Sequence, residues 1–288
     1  MHPHDDTHEH SLADDLGAML NLASDRRQTL RWLLAGASAL PVLGCGGGSS
    51  AGDSASAGTA TTTPTTTTTT TTGSCAVIPE ETGGPYPGDG TNSNSSGVIN
   101  VLTQSGVVRS DIRSSFNGPT GVAAGVPLTI KLQIVNANGS CAALSGYAVY
   151  LWHCDRDGNY SLYSNGVTDQ NYLRGVQASD SNGYATFQTI FPGCYSGRMT
   201  HVHFEVYPTL AKSSSAANRI KTSQFTFPMA TLNEVYASTG YSASVRNLAQ
   251  ISYATDNVFS DGYALQMASV SGNATDGYVV TLTVGVAA

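Results

Sequence analysis

Apolar and polar residues alternate along several short segments of this chain, a pattern typical of β-strands with one buried face. The clearest case is VPLTIKLQIV, where every second residue is apolar: Leu128, Ile130, Leu132 and Ile134. Five further segments are rich in β-branched and aromatic residues and are bounded by turn-forming residues: GYAVYLWHC, GYATFQTIF, THVHFEVYP, TSQFTFP and GYVVTLTVGV. Together these segments predict an all-β domain built as a β-sandwich.

The connections between these segments predict tight turns, long loops and little helix. SDSNGY at 179–184 and DRDG at 155–158 carry the Asp, Asn and Gly residues that turns require. One segment, TLNEVYAS, predicts a short helix, because Thr231 and Glu234 have the spacing of a capping box. We therefore expect one or two short helices beside the sheets.

Charge and composition favour an exported protein. The 288 residues include 13 Lys and Arg against 20 Asp and Glu, a net charge of −7, which argues against a nucleic-acid partner. Charged residues make up only 11% of the chain, fewer than is usual for a helical cytoplasmic enzyme.

The N-terminal region predicts an export signal followed by a tether. In residues 1–45, Arg26 and Arg27 precede an apolar run too short to span a bilayer, as in a twin-arginine signal. This signal ends in VLGC, which resembles the lipobox in which a cysteine, here Cys45, becomes lipidated. An ordinary signal peptide cleaved nearby is the alternative. Residues 46–74 contain mainly Gly, Ser, Ala and Thr, so they predict a disordered tether.

Residues 75–288 are long enough for one domain with a sizeable core. Four cysteines lie in this region, and an exported protein can join them as disulfides. Cys75 and Cys141 both lie in loop-like segments, so we predict that they pair with each other.

Two histidines lie two residues apart in the predicted strand THVHFEV. Val202, Phe204 and Val206 would face the core, while His201, His203 and Glu205 face the other way. Two strand rises separate the histidine Cβ atoms by about 6.6 Å, so both imidazoles can reach one metal ion.

The residues leave the further ligands open. Glu205 would complete a set for ferrous iron, but it lies about 13 Å along the strand from His201. Tyrosine is the other candidate, because a phenolate oxygen suits ferric iron better than it suits zinc or ferrous iron. Tyr195 follows the turn-like FPGC, and Tyr160 lies just after the DRDG turn, in DRDGNYSLY.

Three longer segments carry a more specific pattern: VYLWHCDRDGNYSLY, YLRGVQASDSNGYATFQTIFPGCYSGRMTHVHFEV and ETGGPYPGDG. The second contains Y-x-x-R-x-x-H-x-H, with Tyr195, Arg198, His201 and His203 at its fixed positions. On these residues the chain resembles the intradiol ring-cleavage dioxygenases, the family of catechol 1,2-dioxygenase and protocatechuate 3,4-dioxygenase. The likeness runs from about Cys75 to Gln224 and is greatest to exported single-domain bacterial members.

The resemblance implies a β-sandwich enzyme with one non-haem Fe(III) ion, a catechol-type substrate and O2, and a cis,cis-muconate-type product. The implied iron ligands are Tyr160, Tyr195, His201 and His203, with Tyr163 as the rival to Tyr160 for the first position. Tyr195 would also leave the iron and carry away a substrate proton. The other implied active-site residues are Arg198 and Gln224 in catalysis, and Tyr86 and Arg198 in substrate binding.

Two departures from the family pattern matter. Cys194 stands where exported members often have tryptophan, and it could pair with Cys154. The tail Met229–Ala288 is less family-like, so the outer wall of the pocket is not implied by the resemblance. Two other interpretations remain: a non-catalytic exported β-sandwich that binds a ligand or surface protein, and a different metalloenzyme that uses His153 with His201 and His203.

Overall fold

The computed structural model describes residues 75–288. The predictions of an export signal with Arg26 and Arg27, a lipidated Cys45 and a tether over 46–74 concern residues outside the described ones. Within residues 75–288, no helix is both long enough and apolar enough to cross a bilayer.

Eleven β-strands form the described domain. In chain order they are β1 Asp89–Asn94, β2 Gly97–Asn100, β3 Pro127–Asn136, β4 Ala142–Ala143, β5 Ala148–Trp152, β6 Arg174–Ala178, β7 Tyr184–Ile190, β8 His201–Tyr207, β9 Lys221–Thr226, β10 Ser269–Asn273 and β11 Gly277–Val286.

The strands build two main sheets and one small hairpin. One sheet has the antiparallel order β6-β5-β8-β9. The other has the order β10-β11-β3-β4, with β7 also paired to β3, and its β3–β11 pair is parallel. The hairpin β1–β2 stands apart from both. The predicted β-sandwich is confirmed.

The core lies between the two main sheets. The alternating residues of β3 are each at most 2% exposed, as their pattern predicts: Leu128, Ile130, Leu132 and Ile134. They belong to one apolar cluster with Val202, Phe204 and Val206 of β8, each 0% exposed. Because full burial of such a side chain is worth roughly 1.5–3 kcal/mol, this packing fixes which face of β8 points inward.

Two short helices follow β9, as expected: α1 Met229–Tyr236 and α2 Ser242–Leu248. The predicted capping box at Thr231 is wrong, because α1 begins two residues earlier, at Met229, and no side chain caps its first turn. Pro228 precedes the helix, and its carbonyl accepts a hydrogen bond from the Leu232 amide at 3.1 Å. Proline fixes its own φ near the helical value, so the chain turns into the helix before Thr231.

The cysteines divide into one disulfide and two thiols. Cys75 and Cys141 form the predicted disulfide, which joins residues 66 positions apart. Cys154 and Cys194 are free and buried, so the pairing considered for them is wrong. Each thiol instead donates to a backbone carbonyl at 3.4 Å, Cys154 to Gly193 and Cys194 to Arg198.

The disulfide should contribute measurably to stability. It closes a loop of 66 residues, and restricting the unfolded chain in this way is worth about 2–4 kcal/mol. The double variant Cys75→Ser/Cys141→Ser should lose that much free energy of unfolding in urea denaturation. A reductant should destabilise the wild type similarly and leave the double variant unchanged. Equal stability of the oxidised wild type and the variant would contradict this role.

Candidate metal centre and active site

β8 presents the two histidines of the sequence motif on one face. It lies between β5 and β9, and its alternating residues Val202 and Phe204 are committed to the core. His201 and His203 therefore face the opposite way, yet each is only 2% exposed. The strand thus holds two imidazoles side by side in a site that other segments cover.

Two tyrosines and the two histidines converge on one point. The His201 Nε2 atom lies 3.1 Å from the Tyr195 hydroxyl and 3.4 Å from the Tyr160 hydroxyl. It also lies 3.1 Å from His203 Nε2. The fold thus brings together all four residues predicted as ligands, and a nitrogen or oxygen atom of each lies within 3.4 Å of His201 Nε2 or is that atom.

The backbone assigns the tautomer of His201. Its Nδ1 atom lies 2.6 Å from the Met199 carbonyl oxygen, which can only accept a hydrogen bond. Nδ1 therefore carries the proton, and the lone pair of the neutral ring is on Nε2, directed at the cluster. A fixed ring with its lone pair exposed to the site is the arrangement expected of a metal ligand.

His203 is held by stacking. The Trp152 ring is its cross-strand neighbour on β5 and lies parallel to it, with 4.8 Å between ring centroids and 5° between planes. No local pattern in the chain indicates this contact, because the pairing of β5 with β8 is set by the tertiary fold.

Burial keeps the four side chains neutral. It lowers the pKa of both histidines well below the usual value, and the nearby positive charge of Arg198 acts in the same direction. Burial also raises the pKa of Tyr195 to about 12, although Arg198 opposes this shift. The pKa of Tyr160 is raised well above its usual value, chiefly by burial. The cluster therefore offers neutral imidazoles and two phenols that a bound cation would deprotonate.

Tyr160 rather than Tyr163 reaches the histidines. The turn at DRDG places it, because Asp155 Oδ1 accepts hydrogen bonds from the Asp157 and Asn159 amides at 3.0 and 2.9 Å. The Tyr163 hydroxyl instead donates to Asn92 Oδ1 at 2.6 Å.

Glu205 and His153 are outside the cluster. Glu205 accepts a hydrogen bond from the Tyr207 hydroxyl at 2.6 Å and lies 3.3 Å from Arg219. Both ring nitrogens of His153 are occupied elsewhere, each at 2.7 Å, by the Cys154 carbonyl and the Thr189 hydroxyl. The metalloenzyme interpretation that needs His153 therefore has no geometric support.

Arg198 and Gln224 lie beside the cluster and contact each other. Arg198 Nη2 donates to Gln224 Oε1 at 2.7 Å, and Gln224 is the cross-strand partner of His203 on β9. The amide nitrogen of Gln224 donates to the Thr82 carbonyl at 2.8 Å, so this side chain is fully engaged. Arg198 is 1% exposed, and its Nη1 has no hydrogen-bond partner among residues 75–288.

Comparison with known proteins gives two findings for this domain. The family model described as Dioxygenase matches residues 108–219, which include all four clustered residues and Arg198. An intradiol ring-cleavage dioxygenase from Tetranychus urticae is similar in structure, with a TM-score of 0.57 and 23% identity over 74% of this chain and 95% of that one. The domain therefore has the β-sandwich fold of the intradiol ring-cleavage dioxygenases.

Two further solved structures resemble the domain with lower TM-scores. The dioxygenase domain of a dioxygenase carbohydrate-binding protein fusion from Streptomyces sp. SirexAA-E has a TM-score of 0.45 and 23% identity, covering 73% of this chain and 97% of that one. Catechol 1,2-dioxygenase from Pseudomonas arvilla C-1 has a TM-score of 0.38 and 19% identity, covering 68% and 62%. No curated protein gives a significant match.

The chemistry of the four clustered side chains fits a ferric ion. Among residues 75–288, no group of three or more His, Cys, Asp and Glu side chains could hold a metal. Tyr160 and Tyr195 supply the other half of the set, and phenolate oxygen is a hard donor. Two phenols and two neutral imidazoles, one with its tautomer fixed, are compatible with Fe(III) at this position.

Tyr86 lies against the tyrosine side of the candidate site. Its ring centroid lies 5.0 Å from that of Tyr160 and 5.1 Å from that of Tyr163. Arg174 holds this segment of the chain, donating to the Tyr86 carbonyl at 2.9 Å and the Pro87 carbonyl at 2.8 Å. The sequence did not indicate this role of Arg174. Its two partners lie 88 and 87 residues away, and no local pattern shows that the side chain is buried.

Asp256 was missed as well. It is 0% exposed, lies in the tail beyond α2 and contacts Arg198 through a 3.0 Å ion pair. Its local sequence, TDNVF, indicates a turn and nothing more.

Gly158 should matter because it makes room for Tyr195. Its φ is +91°, and an added Cβ would lie 3.0 Å from Tyr195 Cβ. Gly166 has a similar φ of +84° with no atom within 4 Å of an added Cβ. Gly166→Ala should lower the free energy of unfolding by about 1–2 kcal/mol through backbone strain alone. Gly158→Ala should lower it further and shift the His201 ring signals in NMR spectra. Equal effects of the two variants would contradict this packing constraint.

Proposed function

We propose that this chain is a ferric, non-haem intradiol dioxygenase that opens a catechol-type ring with O2 and releases a cis,cis-muconate-type diacid. One observation carries the proposal: the Tyr160 and Tyr195 hydroxyls and His203 Nε2 all lie 3.1–3.4 Å from His201 Nε2. Both atoms of O2 enter the product, so the reaction requires no further oxidant or reductant.

Three of the four ligands are suited to remain in place. His201 and His203 belong to a central strand, and Tyr160 is 2% exposed. These side chains would hold Fe(III), which when bound acts as a Lewis acid that favours deprotonated catechol and activates its ring toward O2.

Tyr195 is suited to leave. It is partly exposed and lies in a loop, next to the exposed Ser196 and Gly197. The resemblance to the family assigns it a proton-carrying role, in which its hydroxyl oxygen takes up one proton from the catechol. Its position on a loop, rather than on the sheet, supports that role.

Arg198 and Tyr86 would act on the substrate itself. The buried Arg198 guanidinium has one N–H group, at Nη1, without a partner among the described residues, and it can stabilise negative charge that develops on a reacting oxygen. Tyr86 offers an aromatic face beside Tyr160 against which a catechol ring can pack. Gln224 is engaged at both ends of its amide, so we assign it to holding Arg198 in place.

The test combines metal loading, visible spectroscopy and catechol turnover on the purified protein. We expect one Fe(III) per chain, a broad visible band from tyrosinate coordination, and one O2 consumed for each catechol cleaved. Tyr160→Phe and Tyr195→Phe should each lose much of the band, because each removes a phenolate ligand. Tyr163→Phe is the matched control and should keep it, because the Tyr163 hydroxyl faces Asn92.

Two results would overturn the proposal. A protein that stays colourless after loading with Fe(III) would favour the binding-module interpretation. A coloured protein that binds catechol and consumes no O2 would retain the metal centre but exclude ring cleavage.

We propose further that the protein is exported by the twin-arginine route and anchored to the cell envelope through a lipid on Cys45. The Cys75–Cys141 disulfide supports this location, because disulfides persist mainly in oxidising compartments outside the cytoplasm.

Fractionation of cells that make the full chain tests the anchor. The wild type should sediment with membranes, whereas Cys45→Ala should appear in the soluble fraction because it lacks the acceptor sulfur. Ser49→Ala, four residues on, is the matched control and should behave like the wild type. A wild-type protein found entirely in the soluble fraction would exclude lipid anchoring.

A further inference from the structure

The Asp256 carboxylate collects four N–H donors within the folded domain. Its Oδ2 atom accepts from Arg198 Nε at 3.0 Å and from the Met199 amide at 2.7 Å. Its Oδ1 atom accepts from the Val258 and Phe259 amides at 2.8 and 3.0 Å. The two amides on Oδ1 belong to its own loop and fix the carboxylate, while the two donors on Oδ2 belong to the segment that carries the site.

One connection runs from Asp256 to the Arg198 guanidinium. The carboxylate holds Nε, and Gln224 Oε1 holds Nη2, so two of the three guanidinium nitrogens are fixed. The third, Nη1, is the one without a partner among residues 75–288. Because a guanidinium is planar, fixing two nitrogens determines where the third points.

A second connection runs through the Met199 residue to His201. The amide of Met199 donates to Asp256, and its carbonyl accepts the His201 Nδ1 proton at 2.6 Å. Asp256 therefore fixes the backbone whose carbonyl determines the orientation and tautomer of the imidazole. One carboxylate is coupled in this way to both a charged side chain and a candidate ligand.

Asp256 lies outside residues 108–219, the part of the chain that matches the family model. It comes from the tail, after α2, and Phe259 from the same loop lies beneath the Arg198 guanidinium at 5.9 Å. The tail thus supports the site directly.

We propose that Asp256 is a positioning residue that sets both the direction of Arg198 Nη1 and the orientation of the His201 ring. The effect of Asp256 on catechol turnover rests on the proposed function. Its effect on the positions of Arg198 and His201 can be measured in the metal-free protein. The other buried carboxylate considered above, Glu205, does not share this role, because it lies against Tyr207 and Arg219.

The geometric test uses Asp256→Asn in the metal-free protein. Asparagine keeps the size of the side chain but presents an NH2 group to N–H donors and removes the charge opposite Arg198. We expect the Met199 amide and the Arg198 Nε–H to exchange with solvent at least about tenfold faster, because local opening becomes easier. Amides of β3 should be unchanged. Unchanged exchange at both Met199 and Arg198 would overturn the proposal. Asp261→Asn, an exposed carboxylate of the same loop, is the matched control.

A second variant covers the case in which Asp256→Asn does not fold. Arg198→Met/Asp256→Asn leaves no unpaired buried charge, and Arg198→Met alone keeps the bond between Asp256 and Met199. The His201 Nδ1–H signal should persist in the single variant and be lost or exchange-broadened in the double variant. Persistence of the signal in both variants would exclude the connection through Met199.

The kinetic test follows iron affinity and catechol turnover separately. Asp256→Asn should weaken iron binding by roughly 10–100-fold, as loss of a group that orients a ligand usually does. At saturating iron it should lower kcat by about 10²–10³-fold, the effect of losing one charge-stabilising donor, with a smaller change in KM. In an Arg198→Ala background the same substitution should lower kcat far less; additive losses would show that Asp256 does not act through Arg198. A wild type that fails to cleave catechol would refute the proposed function and leave the exchange results to decide the positioning role.

Discussion

The site depends on the commitment of one strand face to the core. β8 carries Val202, Phe204 and Val206 into the apolar layer between the sheets, and the two-residue period of a strand then leaves His201 and His203 no other direction. A slip of one residue in the pairing of β8 would bury both imidazoles in the core and expose the apolar side chains. The register that stabilises the domain is therefore also the register that assembles the donor cluster.

The amino-acid sequence was informative wherever chemistry and local pattern coincide. Alternation along β3 and β8 predicted the sandwich, and the spacing of Tyr195, Arg198, His201 and His203 matched a family motif, so the cluster could be anticipated. Asp256, Trp152 and Arg174 could not be anticipated in the same way. Each acts through a partner tens of residues away, and no local pattern records which strands or loops will meet.

Two smaller errors have similar causes. The helix boundary at Thr231 was misplaced because a capping box describes the residues available, whereas Pro228 determined where the backbone turned. The pairing considered for Cys154 and Cys194 failed because each thiol is buried against a backbone carbonyl of the loop that leads to the site.

The parallel pairing of β3 with β11 has a consequence for biosynthesis. One edge of β3 pairs with β7, which follows within about 50 residues. The other edge pairs with β11, residues 277–286, which is made nearly 150 positions later. Contacts so distant in sequence form slowly, and an apolar strand with an unpaired edge invites association with other chains. While the chain is being made, the centre of its larger sheet is therefore open on one side, which makes chaperone protection most valuable in that interval.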